Sequence, residues 1–397
     1  MSEAPFDVLV VGAGPAGSTA ARLLAADGWT VALVEKAEFP RRKVCGEFIS
    51  ATSLALLNAP GVGEAFFAMA GPPIQRVALF SGDTEVSASM PRSSGSADPW
   101  GRALGREHLD LILRDAAVSA GAQLYQPFSL KHIERRDGLF QATITSKAAA
   151  QVLSARTVIS ANGSWGMGPL APPPRPHRAG DLLAFKAHFE DSALAKDLMP
   201  LLMFPGGYGG MAPTDSGQVS LSCCIRRDVL AQARAAYPAS SAGHAVLSHI
   251  QQHCVGVRQA LRDARLHGPI LAAGPIRPGV RVRNRDSIFR VGNAAGEAHP
   301  IIAEGISMAM QSSWLLCRRL IELGRDATSA SALQRVGDLY AKDWMGQFAP
   351  RIWAAQALAT LAMRPSPTRA VTAVVAHEPA LLTWGARISG KTLLLPS

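Results

Sequence analysis

The chain has 397 residues, of which 48% are apolar, 18% charged and 6% aromatic, with 36 Gly and 27 Pro scattered without a period. That excludes a disordered, collagen-like or coiled-coil chain and leaves a globular protein of about two domains. Lys and Arg total 40 against 30 Asp and Glu, a net charge of +10 that can draw in anionic partners. No helix-turn-helix, zinc-finger or aromatic ribonucleoprotein pattern accompanies it, so nucleic acid is not expected, while peripheral membrane contact stays open.

Asp7 to Val11 reads as a short buried strand. The start of the chain has no basic segment and no small-residue cleavage site, so this apolar run is not read as a leader. It runs into Gly12-Ala13-Gly14-Pro15-Ala16-Gly17, then a helical pattern ending near Gly28, then a second apolar strand from Thr30 to Val34 that ends at Glu35. Strand, G-x-G-x-x-G, helix, strand and acid is the order that dinucleotide binding requires. Gly12 permits the turn, Gly14 lets backbone approach a pyrophosphate, and Gly17 lets helix pack on strand. The helix start offers free N–H groups to phosphate. Glu35 is placed for a ribose diol, and its charge disfavours a 2′-phosphate, so NAD and FAD remain.

Where an NAD enzyme would continue with strand–helix units, Phe39 to Ser50 gives a basic turn and then Cys45-Gly46-Glu47. Gln75 to Gly82 and Thr84 to Met90 read as a hairpin. A Pro-rich turn at 171–176 precedes strands over 182–190, 201–213 and 218–227, and 229–261 reads as helical. Ser287 to Val291 is a strand leading to a second Gly-rich turn, Gly292-Asn293-Ala294-Ala295-Gly296. His299-Pro300 and Glu304-Gly305-Ile306 follow and open a helix to about Leu323. From Ser331 the pattern is helical: Leu333 to Phe348, Ile352 to Met363, and a weaker run to Trp384. No apolar stretch reaches the roughly 18 residues of a membrane span. This tail is apolar on more than one face, which reads first as a helical cap on the core and second as a dimer or membrane-surface contact.

Five scattered cysteines with no C-x-x-C pair fit reduced thiols and a cytoplasmic setting, with neither zinc nor disulfide, and no metal site is expected. Cys223 and Cys224 point to opposite faces of one strand.

In four ordered motifs the chain resembles flavoproteins of the para-hydroxybenzoate hydroxylase type, in the branch that holds geranylgeranyl reductases. Gly12 to Gly17 with Glu35 and Lys36 looks like the family's ADP site for FAD. Arg41 to Glu47 resembles the basic segment and C-G turn beside the isoalloxazine, implying contacts from Arg42, Cys45 and Gly46. Arg106, with Leu109 to Leu113, looks like the family helix whose Arg contacts FAD. Val291 to Gly296 with Pro300, Glu304, Gly305 and Ile306 resembles the segment that holds the ribityl chain and pyrimidine end. The family usually has Asp at the positions of Asn293 and Asn162, and Gly at that of Ala303. Asn293 can still bond a ribityl hydroxyl.

The resemblance implies an α/β fold: a Rossmann-type FAD-binding domain (residues 1–65, 100–165 and 280–325) interleaved with a β-sheet substrate domain (66–99 and 166–279), and a C-terminal helical region (326–397). It implies an FAD-dependent monooxygenase that hydroxylates an aromatic or polyketide-like molecule through a flavin C4a-hydroperoxide, with molecular oxygen and transiently bound NAD(P)H. No second G-x-G-x-x-G supplies a nicotinamide domain, and the W-x-W-x-I-P pattern of flavin halogenases is absent. The alternatives are a reductase of isoprenoid double bonds and a non-catalytic flavin-binding assembly protein. Cys45 is either a thiol acting at the flavin or a small residue in a tight turn, and Glu47 an anchor or a proton relay. His299 is a candidate donor near the flavin edge, and Tyr208 and Met211 are candidate pocket residues on a Gly-rich strand. Substrate and oligomeric state are not legible.

Overall fold

The computed structural model describes residues 4–58, 61–93, 98–166, 168–171, 173, 175–236, 238–282 and 287–391. Parts of the Pro-rich turn at 171–176 lie outside them. Strand β1 (Phe6–Val11) leads through the glycine loop into α1 (Pro15–Ala26), and β2 (Val31–Val34) pairs parallel to β1. After the hairpin β3 (Arg76–Ser81) and β4 (Thr84–Ser89) come α2 (Arg106–Ser119), β5 (Gln123–Tyr125), β6 (Ser129–Arg136), β7 (Leu139–Thr145) and β8 (Ala150–Ser160). The first sheet runs β5-β2-β1-β8-β7-β6, and its parallel part is completed by β14 (Ile288–Arg290) beside β8. All four residues of β2 and nearly all of β1 are buried, as a parallel sheet covered on both faces requires.

The second sheet is built from β9 (Leu182–Glu190), β10 (Leu198–Phe204), β11 (Gly207–Pro213), β12 (Val219–Arg226) and β13 (Arg265–Ala273) together with the early hairpin. Its order is β13-β9-β12-β11-β10-β3-β4, so the two insertions close into one layer where β10 runs parallel to β3. Its back face is covered by α3 (Arg227–Ala236), α4 (Ala242–His253) and α5 (Val255–Ala260), through a core of Phe185, Leu221, Cys223 and Ile250. Cys224 faces the other way, into a separate cluster with Ala184 and Tyr208, and all five thiols are free.

Helix α6 (Gly305–Leu323) returns under the first sheet against α1. Helix α7 (Ala330–Ala362) then runs as one element through Pro350, where the sequence suggested a break. Packing overrides the proline. Tyr340, Trp344 and Phe348 before it are buried against the first sheet, and Ala355, Ala359 and Ala362 after it in the cluster of Tyr208 and Cys224. Helices α8 (Pro365–His377) and α9 (Ala380–Ala386) complete the cap.

The tightest point is the β1–α1 crossing. A Cβ on Gly17 would overlap the Gly12 carbonyl oxygen, and one on Gly12, at φ +106, would lie 2.5 Å from the Ala161 oxygen. Gly17→Ala is therefore expected to cost about 1–3 kcal/mol through overpacking against backbone that cannot move aside. Gly28→Ala, in open space at φ +84, should cost about 1–2 kcal/mol from conformation alone. Unfolding midpoints in urea, with the Gly17 variant the less stable, check the order.

Candidate functional site: a flavin crevice under the second sheet

Strands β1, β2 and β8 end at one edge of the first sheet, where a doubly wound fold places its ligand. The residues there form a half-buried contour inside an otherwise buried core: Gly12, Gly14, positions 41–46 and positions 161–166. Gly14 has only the Arg106 Nη2 near its missing Cβ, at 3.7 Å, so the loop lies open beneath a guanidinium. Pro15 and Ala16 are buried in the first turn of α1, whose amides face the same opening. This cradle fits a pyrophosphate.

Glu35 is buried at the end of β2. Its Oε2 accepts from the Ala13 N–H at 2.9 Å and its Oε1 from the Ala37 N–H at 2.9 Å, which fixes the carboxylate at the rim of the glycine loop. Lys36 is exposed. Arg106 is buried and paired through Nε and Nη2 with both oxygens of Asp110, each at 2.8 Å. Asp110 and the Cys45 sulfur hold its pKa above the ordinary arginine value although burial opposes them.

The basic turn divides its work differently from the sequence reading. Arg42 points to Glu107, 2.9 Å away, and to the His267 carbonyl on β13, so it ties the two layers together instead of facing the loop. Its neighbours do face it. Arg41 lies 3.5 Å from Glu35 and 3.6 Å from Asp110. The Lys43 ammonium falls to about 8, first because of burial and then because Arg106 and Arg41 repel it. The sequence placed both in the basic segment but gave the cofactor contact to Arg42. The signal was two further cations flanking Arg42.

The second glycine turn is also split in role. Gly292, at φ +57, lets the turn pack on Ala16, and Gly296 lies beneath the Trp344 ring, so both serve close packing. Asn293 is half-buried, and its Nδ2 donates to Ser164 Oγ at 2.8 Å. Pro300 and Gly305 are exposed where neighbouring residues are buried, and a Cβ on Gly305 would meet nothing within 4 Å. This is where a flat ring can lie against the start of α6. Ile306 buries its side chain among Leu104 and Leu109, which leaves only its backbone for the crevice. Glu304 is fully buried and accepts from Ser50 Oγ at 3.2 Å.

The roof follows from register. Tyr208 pairs with Cys224, and Cys224 with Ala184. Gly210 pairs with Ser222, and Ser222 with Lys186. Ala212 pairs with Ser220, and Ser220 with His188. These residues share the face turned toward the first sheet. Met211 lies between them in sequence and therefore faces the other way, into the core under α3 to α5. It is not a pocket residue. Tyr208 Oη lies 2.9 Å from His299 Nδ1, and His299 Nε2 lies 3.0 Å from Gln356 Oε1. Since a carbonyl oxygen accepts, the proton sits on Nε2, and the Tyr208 hydroxyl donates to Nδ1. Burial lowers the pKa of His299 and raises that of Tyr208, so the pair is held neutral with both protons in place.

Cys45 is half-buried beside Arg106. Among the described residues no group of three or more His, Cys, Asp or Glu could hold a metal ion.

Residues 5–337 match the family model described as FAD binding domain. Menaquinone reductase of Mycobacterium tuberculosis is 36% identical over 118 residues, but that match spans 30% of this chain and only 28% of the relative. Menaquinone reductase of Mycolicibacterium smegmatis is 25% identical over 97% of this chain and 91% of its own length. Digeranylgeranylglycerophospholipid reductase 1 of Methanopyrus kandleri is 25% identical over 86% and 88%. Among solved structures, the flavin-dependent brominase Bmp2 superposes with a TM-score of 0.77 over 98% of this chain and 94% of its own, at 16% identity, a likeness of fold. With the glycine cradle, the buried Arg106 and a family match over most of its length, the chain belongs to the FAD-binding domain family.

Proposed function

We propose that the protein is a monooxygenase that transfers one atom of molecular oxygen to an aromatic or polyketide-like molecule lying between the flavin and the roof. Bound FAD supplies the two-electron chemistry, with the electrons taken from a transiently bound NAD(P)H. One oxygen atom enters the product, and the other leaves as water with the two electrons and two protons. Gly14, the α1 amides and Arg106 hold the pyrophosphate, Glu35 the ribose, and Asn293 the ribityl chain.

The observation that carries this reading is the closed apolar wall around the neutral Tyr208–His299 pair. Met203, Tyr208, Ile301, Ile302, Ala355 and Ala359 form one buried cluster above the crevice. Such a wall excludes water from a reactive oxygen species and accepts a flat apolar substrate. Tyr208 Oη donates to His299 and His299 Nε2 to Gln356, so the polar groups within the wall satisfy one another and present no charge to the substrate.

Reduction of isoprenoid double bonds is the second reading. It is favoured by the half-buried Cys45 thiol beside Arg106, and by the reductase names of relatives that align over most of this chain. The cap adds a finer point. Trp353, Val374 and Trp384 are 60%, 57% and 60% exposed on helices whose inner faces line the apolar wall. With Arg364, Arg369 and Arg387 among them, this outer face suits an anionic membrane surface. No helix among the described residues is long and apolar enough to cross a membrane.

Gly14→Val is expected to leave the apoprotein folded, because the neighbours give it room, and to weaken FAD by about 10–100-fold, the equivalent of an overpacked contact. Flavin titration checks this, and equal affinity would move the pyrophosphate elsewhere. Cys45→Ser separates the two chemistries. A monooxygenase keeps its FAD and most of its turnover, whereas a reductase that needs the thiol loses ~10²–10⁴-fold. The product's mass, heavier by one oxygen or by two hydrogens, identifies the reaction. Finally, the protein should sediment with vesicles containing anionic lipid and not with neutral ones. Trp353→Ser with Trp384→Ser should release it, and retention of that double variant would exclude the cap as the contact.

A further inference from the structure

Glu47 sits two residues beyond Cys45, in the left-handed region at φ +64, with a side chain that is 0% exposed. Nothing about a glutamate favours that backbone conformation. Five bonds hold it there. Its Oε1 accepts from Lys186 Nζ and, at 3.0 Å, from the Arg106 backbone N–H. Its Oε2 bonds His188 Nε2 at 2.9 Å, and its carbonyl accepts from the Leu104 N–H at 3.2 Å. Its own N–H donates to Cys45 Sγ at 3.4 Å. Lys186 and His188 are two apart on β9, so both reach down from one face of the roof, and their side chains are 0% and 5% exposed.

Stability does not explain such a cluster. A buried ion pair repays little more than its own desolvation, and apolar residues of the same volume do as well. What the cluster does supply is direction. Three donors from two layers converge on one carboxylate, and the Cys45–Gly46 segment hangs from it. Gly46 passes beneath Ser222 of β12, with 3.4 Å from its missing Cβ to Oγ. The carboxyl pKa falls to about 2 because the His188 bond and the Lys186 charge outweigh burial, so the group stays ionised throughout the working range.

We propose that Lys186 and His188 are positioning residues: by holding Glu47 they aim Cys45 and Gly46 into the flavin crevice, so that the roof sheet sets the geometry of the floor. The functional part of this rests on the crevice being the FAD site. The geometric part does not.

The thiols provide the readout. Cys45 is half-buried and the other four cysteines are buried, so N-ethylmaleimide reports on Cys45 in the folded chain, with Cys45→Ser as the blank. Removing Lys186 alone leaves a buried carboxylate short of its cation, so the main variant is Lys186→Met with Glu47→Gln, which removes both charges together. The full-length holoprotein of this double variant is expected to fold and keep FAD. Its Cys45 should be alkylated ~10–100-fold faster than in the wild type, the range that one charged hydrogen bond spans, and the visible flavin spectrum should shift. A purely structural cluster would lower the unfolding midpoint and leave alkylation rate and spectrum as they were, which overturns the proposal. Should the double variant not fold, Lys186→Arg keeps the charge on a wider head that displaces Glu47. It is expected to give the same acceleration, and the wild-type rate in it is equally fatal. If the wild-type chain holds no flavin, the functional reading fails by itself, and alkylation of the apoprotein still tests the latch.

Discussion

Everything at this site depends on three backbone segments meeting with no side chain between them. The Gly12 carbonyl oxygen lies where a Gly17 Cβ would be, and the Ala161 carbonyl crowds Gly12 from the other side. The Gly12 N–H is donated to Val34 at 2.7 Å and the Ala161 N–H to Val11 at 2.8 Å, so the ends of β1, β2 and β8 are stitched together at that spot. One Cβ there would push α1 off the sheet and rotate its free amides away from the opening. The same closeness recurs at the second turn, where Gly292 meets Ala16 and Ser313 Oγ donates to the Ala16 carbonyl at 2.7 Å. The crevice is shaped by absent side chains before any present one can act in it.

The layers above and below it are joined by reciprocal carboxylates. Glu47 belongs to the floor and is held by β9 of the roof. Asp215 belongs to the roof and accepts from the Gly105 N–H at 2.7 Å, just before α2, while its other oxygen lies 2.9 Å from His108 Nδ1. Both clamps fall at the start of α2, the helix that carries Arg106. Buried charges of this kind are exacting about distance and direction and nearly neutral in net stability. They suit a joint that must hold a geometry, and the apolar cluster around Met203 and Ile302 supplies the cohesion.

Much of this was legible in the chain. The strand–glycine loop–helix–strand–acid order is what a nucleotide-binding turn requires, so β1, β2 and the ligand edge they form could be read directly. The roof strands β9 and β12 were found, but 201–213 read as one strand and folds back at Pro205-Gly206 into the antiparallel pair β10 and β11. The hairpin β6–β7 was not, although Asp137-Gly138 is a turn signal, because charged residues on its outer face obscure the alternation. Strand β13 was missed for a related reason: it is a half-exposed edge interrupted by Gly268 and Pro269. Within the site, the ends of β1 and β2 were legible and the division of labour was not. Which of Arg41, Arg42 and Lys43 faces the loop depends on Glu107 and β13, which are remote in sequence. Met211 was misassigned because a Gly-rich strand has no clear face of its own, and only its pairing with β12 fixes one. Lys186 and His188 did leave a trace, as two cationic-type residues two apart in a strand otherwise as apolar as LLAFKAHFE.

The C-terminal helices pose a last question of pattern. A helix that caps a core shows one apolar stripe. The end of α7 and the whole of α8 show two, since Ala355, Ala359 and Val375 are buried in the wall above the crevice while Trp353 and Val374 stand exposed on the outside. Water disfavours the second stripe, and a chain selected only to cover its core would have made it polar. The same helix reaches inward through Gln356 to His299, and so to Tyr208 in the roof. Cap and roof are therefore joined by one hydrogen-bonded chain, from α7 through His299 to β11.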